Sequence, residues 1–183
     1  MDRSIKPSLV KVSKIEAARH QIESAVWLWF VGEDIVSVHT LTGAAHRLLL
    51  ELAQLWEITS LPLTAAYLSP SDKKKKSHAR TPDVFFKDTK EEETYHLCER
   101  WTEVYLFDAV MAYGHLTYNR TPSLLMALFI VRFGVQREDL FASGVFAFLE
   151  EKVSEHFNAQ KLAQLSKVEF LQEFLNPPHP AAS

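Results

Sequence analysis

Ile15, Ala18, Ile22, Ala25, Val26 and Trp29 recur three or four positions apart, a spacing that gathers them on one stripe of an α-helix and would scatter them over both faces of a strand. The residues before them, Ser13-Lys14-Ile15-Glu16, form a capping box. The serine oxygen accepts from an early helical N–H while the glutamate reaches back to the cap. Gly32 supplies a left-handed stop, so a first helix is expected over about 14–31. After a short turn, Ser37 is expected to cap a second helix carrying Leu41, Ala44, Ala45, Leu48, Leu49, Leu52 and Leu55 on its inner side. A connection this short forces an antiparallel hairpin. Gly43 costs that helix about 1 kcal/mol relative to alanine, which suits a close approach to the first helix.

Periodicity is lost over 57–90, which holds Pro62, Pro70, Pro82 and the run Lys73, Lys74, Lys75, Lys76. A connection of that length is expected to be partly mobile and basic. Val84, Phe85 and Phe86 are expected to pin its end to the core. Asp88 or Thr89 followed by Glu91, Glu92 and Glu93 places acid at a helix N-terminus, and the periodicity through Leu97, Trp101, Val104, Tyr105, Asp108 and Met111 predicts a third helix to about His115. Thr121-Pro122 reads as cap and first-turn proline of a fourth helix ending at Gly134. That helix is apolar around nearly its whole circumference and is expected to be the central one. A fifth is expected over about 137–157. A sixth follows the capping box Ser166-Lys167-Val168-Glu169 and stops at Asn176-Pro177-Pro178. The reading is an all-α single domain over 1–183, a bundle of about six helices, with a disordered tail at 177–183.

Composition narrows the function classes. With 20 Lys and Arg against 23 Asp and Glu, the formal net charge is -3, which argues against a general affinity for nucleic acid or anionic lipid. The single cysteine, Cys98, excludes an internal disulfide and is expected to be a helix-buried thiol. No secretory pattern opens the chain, and the longest apolar run, 124–131, is far short of the roughly 20 residues that span a bilayer. A cytoplasmic protein without a membrane partner is the expectation.

Ala17-Ala18-Arg19-His20-Gln21, Trp29-Phe30, Asp34-Ile35-Val36-Ser37-Val38-His39-Thr40-Leu41 and Ala44-Ala45-His46 resemble a group of uncharacterised bacterial helical proteins whose N-terminal hairpin reads roughly "AARRQL…GDPVSIHTLAAAAH". The resemblance covers about the first 55 residues. Phe85-Phe86-Lys87 looks like the start of the group's later "FFKHADRDP" motif, with Asp88 and Thr89 standing where that motif has His-Ala. The resemblance implies a helical fold and a bacterial-type origin, and brings no activity.

Few residue patterns point to chemistry. His39 and His46 lie seven apart on the expected second helix, sharing a face but about 10 Å apart along its axis, too far to ligate one ion together. Glu93 and His96 have the Glu-x-x-His spacing of di-iron bundles, but no second copy occurs, and Glu93 is accounted for by the helix dipole. None of the eight arginines is followed four to six residues later by histidine, which argues against the helical ribonucleases of the HEPN type. No phosphate loop, nucleophile elbow or CxxC is present. No cofactor or metal is expected.

Trp27, Trp29 and Phe30 cluster at the end of the first helix and cannot all face one stripe, so at least one large aromatic is expected to point elsewhere, either packing under the long connection or marking an association surface. The leading reading is therefore a non-enzymatic helical interaction module working as a homodimer, with Trp27, Trp29 and the four lysines as contact residues. One alternative is a metal-dependent or hydrolytic enzyme with a site at the first hairpin, using His39, His46 and Asp34, with Arg47 as an anion clamp. Another is nucleic-acid contact through Lys73, Lys74, Lys75 and Lys76.

Overall fold

In the computed structural model the described residues are 9–32, 34–58, 61, 94, 96–118, 123–137 and 159–175. They form six helices and no strand: α1 (Lys14–Val31), α2 (Ile35–Leu55), α3 (Glu99–Leu116), α4 (Leu124–Gln136), α5 (Ala159–Gln164) and α6 (Lys167–Leu175). No helix among these residues is long and apolar enough to cross a membrane.

The first hairpin follows the local chemistry. Ser13 Oγ accepts from the Glu16 N–H at 3.3 Å and the Glu16 carboxylate accepts from the Ser13 N–H at 2.9 Å. These bonds satisfy orphan donors at the start of α1. Ala18, Ile22, Ala25, Val26, Trp29 and Phe30 form its buried face. Gly32 ends it at φ +71°, its N–H donating to the Leu28 carbonyl, the left-handed closure for which glycine is suited. Asp34, rather than the expected Ser37, caps α2. Its carboxylate accepts from the Val36 N–H at 3.1 Å and from the Ser37 hydroxyl. The earlier start adds a turn to the helix and makes the reversal tighter. At the open end of the hairpin Lys14 Nζ lies 3.2 Å from the Glu51 carboxylate, an exposed pair whose contribution to stability is slight. Gly43 is buried on the inner side of α2.

α3 departs from expectation in three ways. It begins at Glu99, because Thr94, His96, Leu97 and Cys98 are not helical. Cys98 is its N-cap and is exposed, not buried. Moreover α3, rather than α4, is the helix most fully enclosed: the nine residues Thr102, Glu103, Val104, Tyr105, Leu106, Phe107, Asp108, Ala109 and Val110 are all buried. Nine consecutive positions run right around the helical cylinder, so neighbours cover it on every side over that stretch. α4 starts after Ser123, whose Oγ accepts from the Met126 N–H, and it continues through Gly134 to Gln136.

Contacts across the bundle fix its directions. His39 meets Thr102 and His46 meets Asp108, so α2 and α3 run parallel. Glu103 meets Arg137 just after α4 and Phe107 meets Phe133, so α4 runs opposite to α3 and in the same direction as α1, which the hairpin turn sets antiparallel to α2. The end of α1, the starts of α2, α3 and α6, and the end of α4 consequently gather at one end of the bundle. The core there is an aromatic series joining four helices. Phe170 of α6 stacks on Phe30 (6.0 Å between centroids), Trp29 packs edge-on to Phe30 and Phe129 (4.9 Å each), and Phe133 stacks on Phe107 of α3 (4.8 Å). Such edge and offset contacts add to area burial.

Most of the connection 57–90, with Val84, Phe85, Phe86 and all four lysines, lies outside the described residues, as do Glu93, the expected fifth helix of about 137–157 apart from its first residue, Arg137, which is not helical, and the tail 177–183.

Candidate functional site

Two polar assemblies are built into the apolar interior. The larger centres on Glu103, 2% exposed near the start of the enclosed stretch of α3. Its Oε1 accepts from the Trp29 indole N–H at 2.8 Å and from Lys167 Nζ at 3.2 Å; its Oε2 accepts from Arg137 Nε at 3.0 Å and from Arg137 Nη2. Burial by itself pushes this carboxyl up, but the hydrogen bonds from Arg137 and Trp29 and the nearby Lys167 and Arg137 charges outweigh it and hold Glu103 below the usual glutamate value. It is therefore a carboxylate at neutral pH, joined to α1, to the residue after α4, and to α6. Lys167 also reaches Glu99 at 3.4 Å and lies 4.2 Å above the Trp29 ring.

Beside this cluster a cleft of about 220 Å³ opens at the hairpin turn. Trp29, Ile35 and Val38 give it apolar walls, Gly32 lies at the turn, and Asp34, Glu99 and Lys167 supply the charges. Helix starts position all three: Asp34 caps α2, Glu99 opens α3 and Lys167 opens α6.

The second assembly runs along the α2–α3 interface. His39 Nδ1 and Thr102 Oγ1 share a hydrogen bond of 3.0 Å, and His46 Nε2 lies 3.1 Å from the Asp108 carboxylate, every member being buried. The Tyr105 ring stands between the two histidines, 5.4 Å from His39 and 5.0 Å from His46. One helical repeat of seven on α2 thus matches two steps of three on α3, giving Thr102, Tyr105 and Asp108 as the facing row.

No protein family, curated protein or solved structure matches this chain.

The structure brings His39 and His46 to one interface but leaves Asp34 and Arg47 exposed elsewhere on the hairpin. The four do not meet as a site, and only Asp34 lines the cleft. His96 is exposed and not helical, so it presents no Glu-x-x-His face. Among the described residues no group of three or more His, Cys, Asp or Glu side chains is placed to hold a metal ion. Trp29 is 2% exposed and Trp27 46%, which divides the pair as their spacing requires. Glu103, Arg137 and Lys167 were not legible as a cluster, since they are separated by 34 and 64 residues. Asp108 stood in the expected inner periodicity of the third helix, and it is buried. Its helical neighbours Val104, Tyr105, Met111 and Ala112 are all apolar or aromatic, so no face of α3 could carry it to solvent without exposing them.

Proposed function

We propose that this protein is a non-enzymatic helical interaction module that acts as a cytoplasmic homodimer. The observation that carries the reading is Trp27. It is 46% exposed on α1, in an outward row with the exposed His20 and Ser24, while Trp29 and Phe30 beside it fill the core. A large indole on an otherwise polar helix face is the kind of side chain that anchors protein interfaces. A face on the first helix suits a two-fold pairing in which the same patch meets itself. Val36 and Val168, 42% and 40% exposed, add apolar surface at the same end of the bundle.

The interior polar groups favour binding over catalysis. Glu103 is held by three partners and His46 by Asp108, arrangements that join helices and give no nucleophile beside a free base. The free, exposed thiol of Cys98 fits a reducing compartment, and the resemblance of the first hairpin to bacterial helical proteins fits a bacterial-type origin.

The test is sedimentation equilibrium of the wild type and of Trp27→Glu. The expected result is a dimer for the wild type, a monomer for the variant, and equal thermal stability for the two at equal subunit state. A wild type that sediments as a monomer at about 50 µM, a concentration at which micromolar association would already be evident, overturns the reading.

A further inference from the structure

We propose that α1 pairs with α1 of a second copy of this chain in antiparallel orientation, about a two-fold axis passing beside Ser24. The inference rests on the self-association read from Trp27 and adds to it the direction and register of the pair.

α1 carries a second seam besides the one it buries. Ala17, His20, Ser24, Trp27 and Val31 recur at alternating spacings of three and four, the spacing of a coiled-coil seam. None of them belongs to the buried face of the helix. His20, Ser24 and Trp27 are exposed, and Ala17 and Val31 are half-buried. A two-fold pairing makes each contact twice, residue i on j and j on i. With the axis at Ser24, Ala17 and Val31 lie seven positions to either side of it and face one another across the pair. Trp27 then enters the partner's hole between Ala17, His20, Gln21 and Ser24, a knob-into-hole contact. Ala17 and Ser24 are small, which leaves room there for an indole. A parallel pair would set Trp27 against Trp27 and the small residues against one another, crowding one layer and emptying the next.

Gln21 gives a polar reason for the same register. Its Oε1 is shielded from solvent and accepts no hydrogen bond among the described residues, a state that costs free energy. Rotation of the amide into the hole gives that oxygen a donor, the indole N–H of the partner's Trp27. Charge points the same way. From Arg3 to Ile15 the only charged residues are cations, Lys11 and Lys14 among them, whereas between Arg19 and Arg47 the only Asp, Glu, Lys or Arg residues are Glu23, Glu33 and Asp34. An antiparallel pair brings the basic start of each α1 to the acidic end of the other and sets opposite ends of the helix dipoles together. Glu23, nearest the axis, is answered by Arg19 of its own helix at 3.6 Å.

The experiment uses full chains in which Cys98→Ser removes the native thiol, serine being a favoured helix cap. Chains carrying Ala17→Cys and Val31→Cys are mixed under reducing conditions and exchanged into oxidised glutathione. Intact-mass spectrometry separates the possible covalent pairs, because the two variants differ in mass. Helix axes about 8 to 10 Å apart, less a Cα radius of about 2.3 Å on each side, leave facing Cα atoms within disulfide range. Two copies of position 17 are instead offset by about 21 Å along the axis. The expected result is a disulfide between the two variants exceeding either like-with-like disulfide about tenfold, and self-crosslinking of Ser24→Cys at the axis. An excess of like-with-like disulfides overturns the proposal, as does the absence of either expected bridge. If the wild type still sediments as a dimer in that case, only the antiparallel register fails and the reading of Trp27 survives. A monomeric wild type removes both.

Discussion

Glu103 must stay ionised for its donors to stay paired, and that makes it the most informative single residue. Glu103→Gln removes the charge that Arg137 and Lys167 answer and is expected to cost about 2 to 3 kcal/mol, in the range for disrupting charged hydrogen bonds in the interior. Urea denaturation at neutral pH measures this. The pH dependence has a definite sign. A carboxyl whose folded value lies below its ordinary value of 4.5 contributes stability that is present above that value and is lost as pH falls through the folded one. Wild-type stability should therefore decline as pH drops below about 4.5, and Glu103→Gln should show a shallower decline. Some decline remains, because Glu16, Asp34 and Glu169 are also held low, chiefly by hydrogen bonds to Ser13, Ser37 and Ser166. Arg132 makes a second residue-scale case. It is 1% exposed, donates to the Leu162 and Leu165 carbonyls, and lies 5.4 Å from the Phe170 ring centroid. Its planar fork ties the α5–α6 elbow to α4, a geometry lysine cannot reproduce. Arg132→Lys should cost about 2 kcal/mol, and hydrogen exchange should accelerate in 159–175 more than in α1.

The elements divide according to how local their determinants are. α1 and α6 were legible to the residue, because each capping box closes over four positions, and the Ser166 N–H and Glu169 carboxylate meet at 2.8 Å as the pattern requires. The hairpin was legible for the same reason, since Gly32 and a short turn leave no other direction for α2. The start of α3 was not legible. The glutamates at 91–93 point to an earlier start by their charge, whereas the start at Glu99 has no side-chain cap to announce it. The centrality of α3 was hidden too, because Thr102, Glu103 and Asp108 are polar by type and buried only through partners on other helices. The cleft could not be read at all, as it depends on where α3 and α6 begin in space. Gly32 gives the element-scale prediction. A Cβ there would meet nothing within 4 Å, so only the left-handed backbone opposes a side chain. Gly32→Ala should cost about 1 kcal/mol, Gly32→Asn less, and Gly32→Val more. Thermal denaturation of the three variants checks that order.

At the scale of the whole molecule, the bundle places its polar chemistry inside, as joints between helices, and leaves Trp27 outside. Those interior groups give the helices fixed partners, and the exposed Trp27 is the side chain on which the proposed self-association rests. The description of this protein as an association module therefore stands on what happens to that surface in solution. Native mass spectrometry of the untagged wild-type chain tests it most directly. The account predicts a species of twice the 20.9 kDa chain mass with no retained metal or nucleotide. A 20.9 kDa species across the concentration range, or a dimer that persists unchanged in Trp27→Glu, would contradict it.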